Sequence, residues 1–346
     1  MQSNTHILVV RLSAMGDVAM TVPVIRALVA QHPTVKITFV SKAFLKPLFD
    51  DIPNVTFYAA DVTEKHKGVL GLHKLYKELK ELNSTHIADL HNVLRSKILR
   101  SYFKFTHSKT AVIDKGRAEK KALTRTKDKI FKQLKTSHQR YADVFAKLGF
   151  SVDLSNPKSI EKSQLQKKIT DITGTKTSHW VGIAPFAAFD SKMYPLDLME
   201  KVIEELSKNH QLFLFGGGKN EIEVLAKIEE KTENCISVAG KLNLKEELHL
   251  ITHLDCMLAM DSGNAHFSAM QQIDTITLWG GTHPFAGFAP YNQPKENCIL
   301  TDPEKYPNIP CSIYGNTICD GYEDAMRTIA PETVIAKVEG VLKTNS

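Results

Sequence analysis

Short apolar runs alternate with helix-length amphipathic segments along most of the chain, first in one half and then again in the other. Such runs are typical of parallel strands that are buried on both faces, and the segments between them are long enough to form crossover helices. The sequence therefore predicts an α/β fold in which helices cover both faces of a parallel sheet. The predicted strands are 6–11, 36–40, 55–58, 86–89 and 109–113 in the first half, and 180–184, 211–215, 235–238, 256–259 and 275–278 in the second.

The alternation lapses once, in the polar and lysine-rich stretch 151–178. A chain of 346 residues is also longer than one core usually holds. We therefore expect two doubly wound Rossmann-like domains, residues 1–165 and residues 166–346, with a last helix that is able to pack back on the first domain. Because ligands of such sheets bind outside the carboxyl ends of the strands, the domains are expected to face a ligand-binding cleft.

The composition is that of an ordinary globular protein, with 42% hydrophobic and 24% charged residues, which excludes disordered and collagen-like classes. No apolar run is long enough to span a membrane, and the N-terminal residues lack the features of a secretory signal, so a cytoplasmic location is expected. The five cysteines are odd in number, and we expect no disulfide framework. Cys311 and Cys319 are too far apart for a tight metal-binding knuckle, so no metal site is expected.

Positive charge is concentrated in residues 95–140, within a chain whose formal net charge is +6. This region contains Arg95 and Arg117 among many lysines and arginines, and few carboxylates. Such a patch attracts polyanions, namely nucleic acid, an anionic membrane surface or a phosphorylated substrate. The alternative is a solvated helix face followed by a loop.

The turn Arg11-Leu-Ser-Ala-Met-Gly-Asp17 lies where the first predicted strand ends and the first helix begins. Gly16 permits a tight turn, and Asp17 is positioned to cap the helix, a role for which aspartate is favoured. The same position faces the expected cleft, where a carboxylate can take a proton from an attacking hydroxyl. Position alone leaves both roles open.

A lysine occupies the corresponding place in the second half. Lys192 lies between the strand predicted over 180–184 and the helix predicted over 196–207. A point charge beside helix-terminal amides suits a phosphate group. An exposed loop lysine without a function is the alternative.

Two further turns in the second half carry small and hydroxyl residues. Met260-Asp-Ser-Gly-Asn-Ala-His266 follows one predicted strand, and Leu278-Trp-Gly-Gly-Thr-His-Pro284 follows the next. Gly263 allows close approach of the backbone, and helix N-termini of this kind bind anions. The two turns together indicate an anion site, with two ordinary strand-to-helix turns as the alternative.

Other nucleotide-binding patterns are absent from the sequence. Gly216-Gly-Gly-Lys-Asn-Glu221 lacks the Gly-Lys-Ser/Thr ending of a phosphate-binding loop, and no G-x-G-x-x-G follows the first predicted strand. These absences disfavour an ATPase and a nicotinamide-dependent dehydrogenase.

The opening segment Ile7-Leu-Val-Val-Arg-Leu-Ser-Ala-Met-Gly-Asp17 resembles that of the family 9 glycosyltransferases, the heptosyltransferases of lipopolysaccharide core synthesis. Segments 260–269 and 278–284 resemble the nucleotide-binding segments of that family, and Lys192 fits its middle motif. The chain departs from the family pattern at Ser262, where threonine is common, at Phe186, where glycine is usual, and at Gly281 and His283, which replace a proline and an aspartate.

The resemblance implies a GT-B fold with an acceptor-side first domain and a nucleotide-sugar-binding second domain. It also implies inverting transfer of a heptose or a similar sugar from an ADP-activated donor, with no metal and no cofactor. Asp17 would be the general base, and Lys192 would hold the diphosphate. The implied donor-site residues are Lys192, Glu221, Asp261, Ser262, Gly263 and His266, and the acceptor-side candidates are Arg11, Ser13, Arg95 and Arg117.

The implied acceptor is an anionic lipopolysaccharide-type or lipid-linked molecule, which the basic region 95–140 would receive. Peripheral contact with an anionic membrane, at the inner face of the inner membrane, is compatible with the same region. Nucleic acid is not expected as a partner, because few aromatic residues are interleaved with the basic ones. Two alternatives to the transferase remain, a nucleotide-sugar epimerase on the same fold and a basic nucleic-acid-binding protein.

Overall fold

The structure, a computed structural model, describes residues 5–104 and 106–344. The chain divides into two compact units. Unit 1 contains the residues up to Lys115 together with Ser137–Lys158, and unit 2 contains Gly116–Thr136 together with the residues from Ser159 onward. The segment Gly116–Thr136 thus lies in unit 2 although unit 1 sequence flanks it on both sides. The predicted domain boundary, between residues 165 and 166, does not account for this segment.

Unit 1 contains a parallel sheet of five strands. They are β1 (His6–Val10), β2 (Lys36–Ser41), β3 (Val55–Ala59), β4 (His86–Asp89) and β5 (Lys109–Val112), in the order β3-β2-β1-β4-β5 across the sheet. The helices of unit 1 are α1 (Met15–Ala19), α2 (Val22–Gln31), α3 (Gly68–Lys80), α4 (Leu94–Phe103) and α6 (Ser137–Leu148), and α5 (Arg117–Thr124) belongs to unit 2.

Strand β1 occupies the centre of this sheet because its residues are apolar on both faces. Residues 7–10 are almost completely buried, as expected of a strand with helices on both sides. The chain runs outward from β1 to β3 and then crosses to β4 on the other side of β1. The topological switch point therefore lies between β1 and β4, and Arg11 follows β1 directly at that place.

Unit 2 contains a parallel sheet of six strands. They are β6 (Trp180–Ala184), β7 (Gln211–Leu214), β8 (Cys235–Ser237), β9 (Cys256–Met260), β10 (Thr275–Trp279) and β11 (Cys298–Leu300), in the order β11-β10-β9-β6-β7-β8. The helices are α5 (Arg117–Thr124), α7 (Lys167–Thr173), α8 (Leu196–Ser207), α9 (Lys219–Lys231), α10 (Leu244–Ile251), α11 (Gly263–Met270) and α12 (Pro331–Thr344). The switch point of this sheet lies between β6 and β9.

The last helix, α12, contributes to the core of unit 2. Val334, Val338 and Leu342 recur at helical spacing and are buried in the same apolar cluster as residues of α8. The Tyr194 hydroxyl donates to the Ile329 carbonyl at 2.7 Å just before this helix and fixes its entry into the core. Packing of α12 on the first domain stays a prediction.

The predicted fold class, two doubly wound α/β units, is confirmed, and each predicted strand is present. Apolar residues at helical spacing over 18–31 predict one helix, whereas the structure has two, α1 and α2. Pro23 lies at the start of α2, where its missing N–H has no helical partner to lose. The helices α5 and α7 were not predicted, because both are short and rich in charged or polar residues. Within the described ranges no helix combines the length and the apolar character that crossing a bilayer requires.

Cys311 and Cys319 form a disulfide, with their Cα atoms 5.4 Å apart. The odd cysteine count predicts no disulfide framework, and for this pair of cysteines that prediction is wrong. The intervening chain folds back on itself because the Ser312 hydroxyl accepts hydrogen bonds from the N–H groups of Tyr314 and Gly315. We call residues 311–319 the disulfide loop.

Candidate active site

The turn after β1 holds Asp17 against a buried arginine. The Nη2 atom of Arg11 lies 2.6 Å from Asp17 Oδ2, and its Nη1 donates to the Leu90 carbonyl at 2.7 Å. The Arg11 guanidinium also lies 5.9 Å from the centroid of the Tyr141 ring. The Asp17 side chain, by contrast, keeps 30% of its surface exposed. Its carboxylate is therefore fixed in direction and still accessible, which is the geometry that a general base needs.

Asp17 lies in the first turn of α1 and not at its N-cap. Ala14 is the N-cap residue, and its N–H donates to Asp17 Oδ2 at 3.3 Å. The predicted capping position is wrong because α1 begins at Met15, earlier than the apolar periodicity indicated. A carboxylate in this turn still interacts favourably with the positive end of the helix dipole.

A histidine that the sequence reasoning missed lies beside this turn. His91 Nδ1 accepts a hydrogen bond from the Leu12 N–H at 3.4 Å, and its Nε2 lies 3.4 Å from Ser13 Oγ. Burial, together with the charges of Arg11 and Lys115, lowers the pKa of His91 to about 3. The imidazole is therefore neutral near pH 7, with its proton on Nε2 and facing Ser13. Its place just after β4, the strand beside β1, was the available signal.

The acceptor-side candidates do not all belong to one unit. Arg11, Ser13 and Asp17 come together in the turn after β1. Arg95 is exposed in the first turn of α4, also in unit 1, whereas Arg117 is exposed at the start of α5 in unit 2.

Part of the positive charge in residues 95–140 is used inside the protein. Arg100 Nη1 pairs with the buried carboxylate of Asp89 at 2.5 Å. Lys120 is buried, and its ammonium lies 4.0 Å from the centroid of the Phe288 ring, a cation–π contact. The interpretation of the whole region as a solvated face is therefore wrong for these side chains.

Lys192 and Asp261 form a buried ion pair at the carboxyl ends of β6 and β9. The Nζ and Oδ2 atoms are 2.9 Å apart, and the two side chains are only 12% and 7% exposed. Thr282 Oγ1 donates to the same carboxylate oxygen at 2.9 Å. The pair forms because β6 and β9 are neighbours at the switch point of the sheet. Lys192 is therefore not the exposed loop lysine of the alternative interpretation.

Ser262, Gly263 and His266 follow Asp261 at the start of α11. Ser262 is the N-cap residue, and its buried hydroxyl makes no hydrogen bond within the described part of the chain. Gly263 is the first helical residue, and His266 is buried one turn further on. The unpaired N–H groups of a first helical turn bind anions, and Gly263 has no side chain to obstruct them.

Glu221 lies in the first turn of α9, at the carboxyl end of β7. Its Oε2 atom accepts a hydrogen bond from the Gly217 N–H at 2.7 Å and thereby orders the glycine turn. The order β10-β9-β6-β7 places four polar side chains in a row along one edge of the sheet. In that row they are Thr282, Asp261, Lys192 and Glu221.

Glycines allow backbone segments to pack closely around Lys192. The Gly281 N–H donates to the Ser191 carbonyl at 2.7 Å, and a Cβ on Gly280 would lie 2.3 Å from that same oxygen. Gly315 of the disulfide loop has φ +84°, and a Cβ there would lie 2.4 Å from Lys192 Cδ. The disulfide loop therefore forms a wall against the stem of Lys192.

The turn after β10 does not lead into an α-helix, so the helix N-terminus expected there is wrong. Pro284–Ala286 forms one 3-10 turn, which Gly287 ends in the left-handed conformation. Thr282 contributes instead through its hydrogen bond to Asp261.

The row in unit 2 offers one ammonium and the free amides of a helix terminus, a combination that suits a diphosphate. In residues 5–104 and 106–344 no group of three or more His, Cys, Asp or Glu side chains is arranged to hold a metal ion. The turn in unit 1 offers an oriented carboxylate. Taken separately, the row in unit 2 suits an anionic leaving group, and the turn in unit 1 suits a base.

Comparison with known proteins finds relatives over most of the chain. The family model described as glycosyltransferase family 9 (heptosyltransferase) matches residues 72–312. The lipopolysaccharide core heptosyltransferase OpsX of Haemophilus influenzae is 28% identical over 304 residues, which are 82% of this chain and 81% of that protein.

Two solved structures resemble this one over nearly their whole length. The family 9 glycosyl transferase from Veillonella parvula has a TM-score of 0.76 at 20% identity, with 99% of both chains covered. The ADP-heptose lipopolysaccharide heptosyltransferase II of E. coli has a TM-score of 0.68 at 18% identity, again with 99% of both chains covered. At these identities the likeness establishes a shared fold.

Proposed function

The chain belongs to glycosyltransferase family 9, and on that premise we propose that it transfers a heptose from ADP-heptose to an anionic lipopolysaccharide core acceptor with inversion at the anomeric carbon. The predicted family, the GT-B fold class and the glycosyltransferase function are confirmed. The family match and the relatives support this assignment over the two alternatives, a nucleotide-sugar epimerase and a nucleic-acid-binding protein. The name of the Haemophilus relative supports the core acceptor, and the name of the E. coli structure supports ADP-heptose as donor.

The buried Lys192–Asp261 pair is the observation that carries the proposal. It brings an ammonium to the start of α11, where free N–H groups and the Ser262 hydroxyl also lie. Negative charge builds up on the diphosphate as the bond to the sugar breaks, and fixed donors at that place stabilise it. We assign the diphosphate to this position and the nucleoside to the β7 side, where Glu221 reaches the ribose.

Asp17 is the proposed general base. It removes the proton from the acceptor hydroxyl while the oxygen attacks the anomeric carbon, and the bond from that carbon to the diphosphate oxygen breaks in the same step. ADP leaves with the electron pair, so a single displacement inverts the configuration. Arg11 holds the carboxylate in place, since it is itself buried and bonded to the Leu90 carbonyl.

We assign acceptor recognition to Ser13, which lies in the same turn as Asp17, and to the exposed Arg95 and Arg117, whose charges attract an anionic core. The reaction is proposed to need no metal, because Lys192 and the α11 amides supply the positive charge that the leaving group requires. The protein is proposed to act in the cytoplasm, in peripheral contact with the inner face of the inner membrane through its basic residues.

The test is transfer from ADP-heptose to a core acceptor that lacks heptose, followed by mass spectrometry of both products. We expect ADP and a heptosylated acceptor in equal amounts, and we expect the rate to persist in EDTA. Incubation of the donor alone should leave the heptose configuration unchanged. Epimerised donor would favour the alternative enzyme, and loss of activity in EDTA that Mg²⁺ restores would contradict the metal-free reaction.

A further inference from the structure

A pocket of about 280 Å³ lies in unit 2, at the carboxyl ends of β10 and β11. Thr282 lines this pocket and also donates to Asp261, so the pocket adjoins the Lys192–Asp261 pair on the side away from Glu221. Its walls are mainly aromatic and aliphatic, and its volume is near the lower end of the range for small-molecule sites. The residues that the argument uses are Lys129, Phe131, Thr282, His283 and Tyr306.

His283 supplies a neutral hydrogen-bond donor to this pocket. Its Nδ1 accepts the Phe285 N–H at 3.1 Å, so the ring proton is on Nε2. Burial, with a contribution from the charge of Lys129, lowers the pKa of His283 to about 4, and the ring is therefore uncharged near pH 7. In the part of the chain that the structure describes, Nε2 has no hydrogen-bond partner.

Lys129 lines the pocket, but its ammonium is largely engaged with the protein. Nζ donates to the carbonyls of Asn308 at 2.5 Å and of Pro310 at 3.2 Å, and burial lowers its pKa. It thereby anchors the loop that carries Tyr306 to the segment that carries Phe131. Because this cation is occupied and His283 is neutral, the pocket suits an uncharged ligand better than an anionic one.

The aromatic walls favour a flat, partly apolar partner. Phe131 is 52% exposed, and its ring meets the His283 ring edge to face at 5.0 Å. Tyr306 is buried against Tyr322 and so presents a rigid wall. A sugar ring has an apolar C–H face to pack on such rings and hydroxyl oxygens to accept from a donor such as His283 Nε2–H.

We propose that this pocket binds one neutral monosaccharide ring, with His283 Nε2–H donating to a sugar hydroxyl and Phe131 packing on the C–H face of the ring. The proposal rests on the proposed function in one respect, that the sugar belongs either to the donor or to the acceptor of the transfer. The nucleoside is assigned to the opposite end of the row, at Glu221, so the pocket contributes nothing to binding of ADP itself.

Two variants test the two contacts separately. In His283→Asn, the side-chain oxygen takes the place of Nδ1 and can still accept the Phe285 N–H, whereas no atom replaces Nε2. In Phe131→Leu, the apolar bulk remains and the aromatic face is lost. Phe44→Leu is the matched control, because Phe44 is 54% exposed and lies in unit 1.

The measurements are the dissociation constants of ADP and of ADP-heptose, by calorimetry, and the KM of the core acceptor. If the pocket holds the donor sugar, both variants weaken ADP-heptose about 3- to 10-fold and leave ADP unchanged, as expected for loss of one uncharged contact. If it holds the acceptor sugar, the acceptor KM rises by a similar factor and both nucleotide affinities stay as they were. Phe44→Leu should change none of the three constants.

The proposal is overturned if both variants match the wild type in all three constants, or if they weaken ADP and ADP-heptose equally. A separate readout is saturation-transfer NMR with methyl heptoside, whose signals should weaken in both variants. That experiment still tests the pocket if the wild type proves unable to transfer heptose, an outcome that would refute the proposed function alone.

Discussion

Reduction of the Cys311–Cys319 bond is expected to destabilise unit 2 by an amount that follows from the loop it closes. The two cysteines are 8 positions apart, and closing a loop of this length restricts the unfolded chain by about 2.5 kcal/mol at 25 °C in the chain-entropy treatment. For a domain of roughly 200 residues, this corresponds to a fall in Tm of about 5–10 °C.

The assay is differential scanning calorimetry with and without a phosphine reductant. The matched control is the double variant Cys311→Ser, Cys319→Ser, which keeps the three other cysteines, Cys235, Cys256 and Cys298. The wild type should lose the stated Tm increment on reduction, whereas the double variant should melt at the lower temperature under both conditions. Equal Tm values for the wild type with and without reductant, once mass spectrometry has shown that the bond is cleaved, would refute the reasoning.

The same reduction should also weaken ADP binding, because the disulfide loop is bonded to the segments around Lys192. Gly315 accepts a hydrogen bond from the Ser191 hydroxyl, and Cys311 N–H donates to the Gly281 carbonyl. A looser loop gives Lys192 more freedom, which binding must then remove. A drop in Tm with an unchanged dissociation constant for ADP would show that the loop stabilises the unit without positioning Lys192.

Three further predictions concern single side chains. Asp17→Asn should lower kcat by about 10²- to 10⁴-fold while the dissociation constant of ADP stays within about twofold; an unchanged kcat removes Asp17 from the role of base. Lys192→Met should raise the dissociation constant of ADP by about 10- to 100-fold in calorimetry, the cost of losing a charged contact to phosphate, and an unaltered value contradicts the diphosphate assignment. Burial raises the pKa of Glu247 from 4.5 to about 7, so the folded state binds this proton more tightly and loses stability as pH rises through that interval. In thermal melts from pH 4 to 8, the Tm of Glu247→Gln should therefore rise relative to that of the wild type as the pH rises. A Tm difference between the two proteins that stays constant over this pH range would refute the raised pKa of Glu247.

The strands and the ends that carry the site could be predicted from the sequence, because apolar runs mark buried parallel strands whatever their partners. Asp17, Lys192 and Asp261 were identified from their places after such runs. The contact between Lys192 and Asp261 could not be predicted in the same way, since it depends on β6 and β9 being neighbours across the switch point. Periodicity reports the type of an element and not its order in the sheet.

Features that depend on contacts between distant segments could not be predicted from the sequence either. Helix α5 is short and highly charged, and it is held by Lys120 against Phe288, a contact that no local pattern indicates. The disulfide likewise depends on a turn in which the Ser312 hydroxyl bonds to two N–H groups. His91 was overlooked because a lone histidine after a strand has no distinctive spacing.

The polypeptide passes from one unit to the other three times, after Lys115, after Thr136 and after Lys158, and this limits how such enzymes can be recombined. A recombinant fragment that starts at Ser159 would contain all six strands of the unit 2 sheet. It would lack Lys129 and Phe131, which line the proposed sugar pocket of that unit. A chimera that exchanges the donor half between relatives must therefore carry over residues 116–136 as a separate cassette. Single-crossover shuffling would leave each hybrid with a helix and a pocket wall from the wrong parent.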